Sequence, residues 1–103
     1  MFAYQIVIDE VQATIHFEGD IDIDAGDVLE DEIEPAVAPY TNIILNLEKV
    51  FFVDSSGIGL IIRLVQVLQE LERNVYIEHT QPEVMEVFEL LQLDEILGKE
   101  IFR

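Results

Sequence analysis

The residues best placed to do chemistry are Asp54-Ser55-Ser56-Gly57-Ile58-Gly59, two adjacent hydroxyls between a carboxylate and two glycines. The run opens an apolar-periodic stretch that reads as a long helix to about Glu72. A loop-to-helix junction presents free backbone N–H groups and the positive end of the helix dipole, a setting that suits a bound or covalent phosphate. One serine is enough to cap the helix, worth ~1 kcal/mol. The other is then exposed beside small glycines, within reach of a modifying enzyme. A hydrolase elbow needs G-x-S-x-G, and the residue two before Ser55 is Val53. A phosphate-cradling G-x-x-x-x-G-K-[ST] loop does not occur, and no cofactor is expected.

The second candidate is acidic. Glu18 to Glu34 holds nine acids in seventeen residues. Asp20, Asp22 and Asp24 are spaced like ligands of a calcium loop. Counted from Asp20, however, the sixth position is Ala25 and the twelfth is Asp31, where such a loop needs glycine and glutamate. The segment reads as a solvated acidic edge and helix face, with at most weak magnesium association near Asp22 and Asp54. With no cysteine, and only His16 and His79 as histidines, thiolate sites, disulfides and a three-histidine zinc site are excluded.

The elements that must position these residues follow from periodicity. Tyr4 to Ile8 reads as a strand. Val11 to Phe17 alternates, with Val11, Ala13, Ile15 and Phe17 on one face and Gln12, Thr14 and His16 on the other. Asp9-Glu10 is the expected hairpin turn between them. Asp24 is expected to cap a helix from about Ala25 to Ala38, ended by Pro39, with Val28, Leu29, Ile33 and Val37 inward. Ile43 to Leu47 suits a strand covered on both faces. In the long helix, Ile61, Leu64, Val65, Leu68 and Leu71 make the inner face, opposite a polar stripe of Gly59, Arg63, Gln66, Glu70 and Arg73. Ile58 and Ile62 border it, so the helix start is smooth and rimmed with aliphatics. Asn74 to Glu78 is a strand. Pro82 opens a further helix with Val84, Val87, Phe88 and Leu91 as its stripe, and Ile96 to Phe102 closes the chain as a helix turn or strand. The order β-β-α-β-α-β-α predicts an α/β fold: a mixed sheet with an antiparallel N-terminal hairpin and strand–helix–strand crossovers, packed with helices.

Composition bounds the function. The 103 residues make one domain, 1–103, with half of them hydrophobic. Twenty-two acids against five bases give a formal charge of −17. Such a chain lacks the clustered Lys and Arg of a nucleic-acid-binding face and is repelled by an anionic membrane. The start lacks the basic n-region of a signal peptide. The longest near-continuous apolar run, Ile58 to Leu68, is broken by Arg63 and Gln66 and is too short to span a bilayer. A soluble, cytoplasmic domain is expected.

These residues resemble a family. Asn46-Leu47 followed by Val53-Asp54-Ser55-Ser56-Gly57-Ile58-Gly59 resembles the signature of the STAS domain, found in sulfate transporters and anti-sigma-factor antagonists. Gly19-Asp20-Ile21-Asp22 resembles its glycine–acid–aliphatic–Asp element, and Glu83 to Ile96 its last helix and turn. The resemblance covers nearly the whole chain. It implies a bacterial, stand-alone anti-sigma-factor antagonist that is not an enzyme. Ser55 would be the phosphoacceptor, with Ser56 left as the N-cap and Asp22 and Asp54 flanking. The partner-binding residues it implies are Asp22, Asp54, Ser55, Ser56, Gly57, Ile58, Gly59, Ile62 and Arg63. The implied partners are an anti-sigma factor serine kinase, which binds the unmodified form and so frees a sigma factor, and a serine phosphatase that reverses the modification. The alternative implied by other family members is a structural STAS subunit of a lipid-transport or stressosome-like assembly.

Overall fold

The computed structural model describes all 103 residues. Strand β1 (Ala3–Asp9) turns back into β2 (Gln12–Glu18) as an antiparallel hairpin whose last pair is Asp9 with Gln12. The turn is therefore Glu10-Val11, one residue later than the pattern predicts. Glu10 adopts a left-handed φ of 56°, the backbone twist that a two-residue hairpin turn favours. Strand β3 (Asn42–Lys49) runs parallel to β2, and β4 (Asn74–Glu78) parallel to β3, giving the spatial order β1-β2-β3-β4.

The first helix, α1, covers residues 23–37 and is not uniform. It begins as a 3-10 turn (Ile23–Ala25), passes through a short α stretch (Gly26–Val28) and a π turn (Leu29–Ile33), and ends as α (Glu34–Val37). Pro35 accounts for the widened turn. Proline has no N–H to donate, and its ring clashes with the carbonyl four residues back. Just before it, the Glu34 N–H bonds to the Leu29 carbonyl five residues back. The inward residues Ala25, Leu29, Ile33 and Val37 recur every four positions and are all buried. In a regular helix a four-residue step overshoots by about 40°; the π turn takes up part of that drift. Two expectations are corrected. Asp22, not Asp24, caps the helix, its carboxylate accepting from the Asp24 N–H at 3.0 Å. Val28 is only partly buried.

Three more helices follow: α2 (Ser55–Glu70), α3 (Pro82–Leu90) and α4 (Leu93–Leu97). The chain steps β2 to β3 to β4 in one direction across the sheet. Right-handed crossovers that all move the same way place their helices on one face. The core is accordingly one-sided. Ala13, Ile15, Phe17, Ile43, Leu45, Leu47, Val75 and Ile77 face the helices within a single cluster. Gln5, Val7, His16 and Tyr76 occupy the opposite, open face. Helices cover only one face of β3, yet Ile43 to Leu47 are all buried, as the apolar run predicts. Ile44, 5% exposed, is the buried apolar residue left outside the cluster, sheltered by neighbouring strands. Leu71 and Leu91, expected inward, follow the last helical residues of α2 and α3 and are exposed. The chain ends by laying Ile101 to Arg103 along β4, with the Ile77 N–H donating to Ile101 O and the Arg103 N–H to Ile77 O. No helix is long and apolar enough to cross a membrane.

Leu45→Ala, in the middle of the closed face, is expected to cost about 2–5 kcal/mol by urea denaturation. Val7→Thr, on the open face, is expected to stay within about 0.5 kcal/mol. A titration tests the tie between β1 and α1. The Tyr4 hydroxyl donates to Glu32 Oε1 at 2.9 Å, and this bond holds the phenol pKa above its ordinary 10.0. Only the neutral phenol can donate. The contribution to stability is thus complete below the ordinary phenol pKa and is lost as pH rises through the raised value. Phenolate absorbance is expected to show one late-titrating tyrosine that returns to the normal range in Glu32→Ala.

Candidate functional site

Two backbone segments continue past the paired strands and hold each other. The Gly19 N–H donates to Lys49 O at 3.1 Å, the Ile21 N–H to Phe52 O at 3.1 Å, and the Asp54 N–H to Ile21 O at 3.3 Å. Ile21 and Val53 form an isolated parallel bridge. Each segment turns into a helix at the next residue, and each turn is capped by an aspartate. Asp22 accepts from the Asp24 N–H at 3.0 Å, and Asp54 accepts from the Gly57 N–H at 2.8 Å. Both aspartates have extended backbone, as N-caps do. The bridge thus sets two capped helix starts side by side at the C-terminal ends of neighbouring parallel strands.

Asp54 is the cap of α2, which corrects the expectation that Ser56 fills that role. A carboxylate accepts from a backbone N–H more strongly than a neutral hydroxyl does. Both serines are released from capping. Ser55 and Ser56 are the first two residues of the helix and are exposed. Their N–H groups, at the positive end of the dipole, have no partner within the helix. The result is an accessible hydroxyl in a field that favours anions, next to a carboxylate already committed to a hydrogen bond.

The glycines do different jobs. A Cβ on Gly57 would lie 2.0 Å from the Ile21 carbonyl oxygen, so only glycine lets the first turn of α2 close onto the Ile21 backbone. Gly57 faces inward and is not part of a smooth outer surface. Gly59 is exposed, and a Cβ there meets nothing within 4 Å. Ile58 is 5% exposed and belongs to the core, which removes it from the expected partner-contacting set. Ile62 is partly buried against the same core. The Arg63 guanidinium is exposed but engaged, donating to Glu34 at 2.8 Å with Glu30 at 3.7 Å, and so ties α2 to the acidic side of α1.

The sequence reading missed three residues. Ile23, Phe51 and Phe52 are 73%, 62% and 54% exposed. Phe51 and Phe52 lie in the segment that leads to Asp54, and Ile23 follows Asp22. They are exposed apolar residues in the chain segments that border the two helix starts. The signal was present as a Phe-Phe pair in a loop, where aromatics have no core to fill. No group of three or more His, Asp or Glu side chains converges as metal ligands, at the acidic segment or elsewhere.

The model of the STAS domain matches residues 5–103. The chain belongs to the STAS family. Among solved structures, this STAS domain resembles the anti-sigma factor antagonist SpoIIAA in its unphosphorylated form, with a TM-score of 0.78 and 25% identity over 98% of this chain and 86% of that one. It resembles an anti-sigma factor antagonist from Mycobacterium paratuberculosis with a TM-score of 0.81 and 19% identity, covering 95% and 84% of the two chains. It also resembles a sulfate transporter family protein from Wolinella succinogenes, with a TM-score of 0.80, 14% identity and coverage of 93% and 79%. No curated protein matches its sequence significantly. The mixed four-stranded sheet with four helices is the fold shared with SpoIIAA.

The close approach at Gly57 predicts opposite outcomes for two glycines of this STAS domain. Gly57→Ala is expected to destabilise by about 2–3 kcal/mol, because the methyl meets backbone that cannot swing away. Gly59→Ala is expected to stabilise by about 0.5–1 kcal/mol, as in any open helix interior. Urea melts of the two variants against the parent check both signs.

Proposed function

We propose that this STAS domain is an anti-sigma factor antagonist, a binding module of the bacterial cytoplasm whose grip on an anti-sigma factor is switched by phosphorylation of Ser55. The observation that carries the reading is the exposure of Ser55 in the first turn of α2, next to the capping Asp54, at a helix start that the Ile21–Val53 bridge sets beside the one capped by Asp22. The likeness to SpoIIAA supports it, and that protein has been solved in both unphosphorylated and phosphorylated forms. Asp22, Asp54, Ser55, Ser56 and Gly59, with Ile23, Phe51 and Phe52, form the surface the partner covers. Ile62 and Arg63 lie further along α2. The partner is a serine kinase as well as the anti-sigma factor, and a serine phosphatase resets the switch.

The physics of the switch is local. A phosphoserine adds ~1.5 to 2 negative charges. Against a total of −17 this changes little globally. At Ser55 it places a hydrated dianion beside the Asp54 carboxylate, on a surface whose bordering segments expose Ile23, Phe51 and Phe52. A partner seated there must strip water from the phosphate and meets like charge. A loss of ~3 kcal/mol weakens binding more than a hundredfold. Within the domain, the free N–H groups of the first turn offset part of the repulsion, so the fold survives a modification that breaks the interface.

A second reading, a structural STAS subunit, is favoured by the shared fold of the sulfate transporter family protein. Phosphate turnover separates the two. Purified domain and Ser55→Ala are incubated with lysate of the source cells and magnesium ATP, followed by phosphopeptide mass spectrometry. The expected result is phosphate on Ser55, none on the variant, and affinity for the captured kinase reduced at least a hundredfold by the modification. Absence of phosphate, in a lysate that modifies a control substrate, favours the structural subunit.

A further inference from the structure

The two edges of the sheet are treated differently. The outer edge of β4 is covered by the chain's own Ile101 to Arg103. The outer edge of β1 is bare over seven residues. The pair Asp9–Gln12 closes a two-residue turn and so exchanges hydrogen bonds; Val7, Gln5 and Ala3 then also turn their amides to β2. Tyr4, Ile6 and Ile8 turn theirs outward. The strand has none of the usual protections of an edge: no lysine, no proline, no bulge, and a single charge at Asp9.

The edge is flanked by a negative wall. Asp24, Val28 and Glu32 recur at four-residue spacing along α1, beside the row that enters the core. Glu32 holds the Tyr4 hydroxyl. Asp20, Asp22, Asp24 and Val28 line a cavity of about 350 Å³ with Met1 and Phe2, at the start of β1. Asp27 and Asp31 are exposed on the same helix. Arg63 is spent on Glu30 and Glu34, so its guanidinium does not neutralise this side; the Met1 end of the chain lines the cavity without an ion pair to Asp20, Asp22 or Asp24.

We propose that the β1 edge is a second docking site, which takes an extended segment of a partner protein in which Lys or Arg alternates with aliphatic residues. Paired to β1, every second side chain of such a segment stands on the helix side of the sheet and faces the α1 acids. The intervening side chains extend the open face beside Val7, which is 46% exposed. A second copy of this chain is a poor occupant. Two-fold pairing of β1 with β1 brings two α1 walls together on one side of the joined sheet, acid against acid. The site adjoins the Ser55 surface at Asp22, which lines the cavity at the start of β1, but its strand edge, Tyr4 to Ile8, lies outside that surface and its occupation does not require phosphorylation of Ser55.

The test uses the intact domain and a synthetic peptide of β1's length with alternating lysine and valine. A lysine–proline peptide of equal charge and a glutamate–valine peptide serve as controls, and binding is read by amide hydrogen exchange and NMR shifts. The expected result is binding of the lysine–valine peptide alone, with exchange at Tyr4, Ile6 and Ile8 slowed about tenfold or more. Affinity is expected to fall about tenfold in Asp24→Asn/Asp31→Asn and to fall with added salt. Equal binding of the lysine–proline peptide, protection at Ser55 or on the open face instead of β1, indifference to the double variant, or self-association through β1 would each overturn the proposal.

Discussion

The site depends on one backbone contact, the bridge between Ile21 and Val53. The strands β2 and β3 end at Glu18 and Lys49, yet the two segments beyond them stay joined through Ile21 and Phe52–Asp54. Without that join, Asp22 and Asp54 would belong to independent loops. With it, both helices start from one plane, and their positive ends point to the same patch of surface. Gly57 locks the arrangement from the other side, because the first turn of α2 rests directly on the Ile21 carbonyl. The setting of Ser55 is therefore fixed by backbone geometry together with the two capping carboxylates, Asp22 and Asp54.

The one-sided sheet explains where that patch lies. Crossovers that advance in one direction put every helix on one face, and every β-to-α turn at the C-terminal end of a parallel strand. Open α/β sheets commonly place ligands outside those strand ends. Here the two neighbouring turns carry Asp22 and Asp54, and the loops around them expose Ile23, Phe51 and Phe52. The core nearby is complete without these three side chains, so their exposure fits the proposed partner surface.

Most of the fold was legible in the sequence because period and punctuation agreed. Alternation from Ala13 to Phe17, the apolar run Ile43 to Leu47 and the proline-opened helix at Pro82 all fell where their patterns placed them. The misses have physical causes. Asp24 was preferred to Asp22 as a cap because a sequence does not reveal that Ile21 is held by Val53, which fixes where the helix must begin. Pro35 was passed over, although it widens the turn before it. Ser56 was assigned the cap because hydroxyls are good caps, but the carboxylate one residue before the pair reaches the Gly57 N–H first. Ile58 was placed at a border by projection at a fixed angle. The tight seat of the first turn on Ile21 rolls it into the core. The candidate residues Asp22, Asp54, Ser55 and Ser56 were readable as types and spacing, and the structure sets the two aspartates at neighbouring helix starts. The exposure of Ile23 and two phenylalanines was not, because exposure of an apolar residue is a property of the whole fold.

The excess of acids fits this architecture. Nearly all of the charge lies outside a continuous apolar cluster, and among buried residues the polar exception is Asn46, whose Oδ1 accepts from the Glu48 N–H at 3.0 Å. A net charge of −17 therefore costs the core no desolvation. Its cost is mutual repulsion on the surface, and two features reduce that. Arg63 binds Glu30 and Glu34 where α1 and α2 meet, and the two aspartates at the helix starts are held by N–H groups. What remains is a long-range negative field that draws basic partners toward the domain and keeps copies of it apart. A field of this kind cannot by itself tell a modified Ser55 from an unmodified one, since one phosphate barely alters it. Under the proposed switch, discrimination comes at contact distance, where a phosphate on Ser55 would sit beside the Asp54 carboxylate. Attraction is thus spread over the whole surface, and the proposed switch is confined to one turn of one helix.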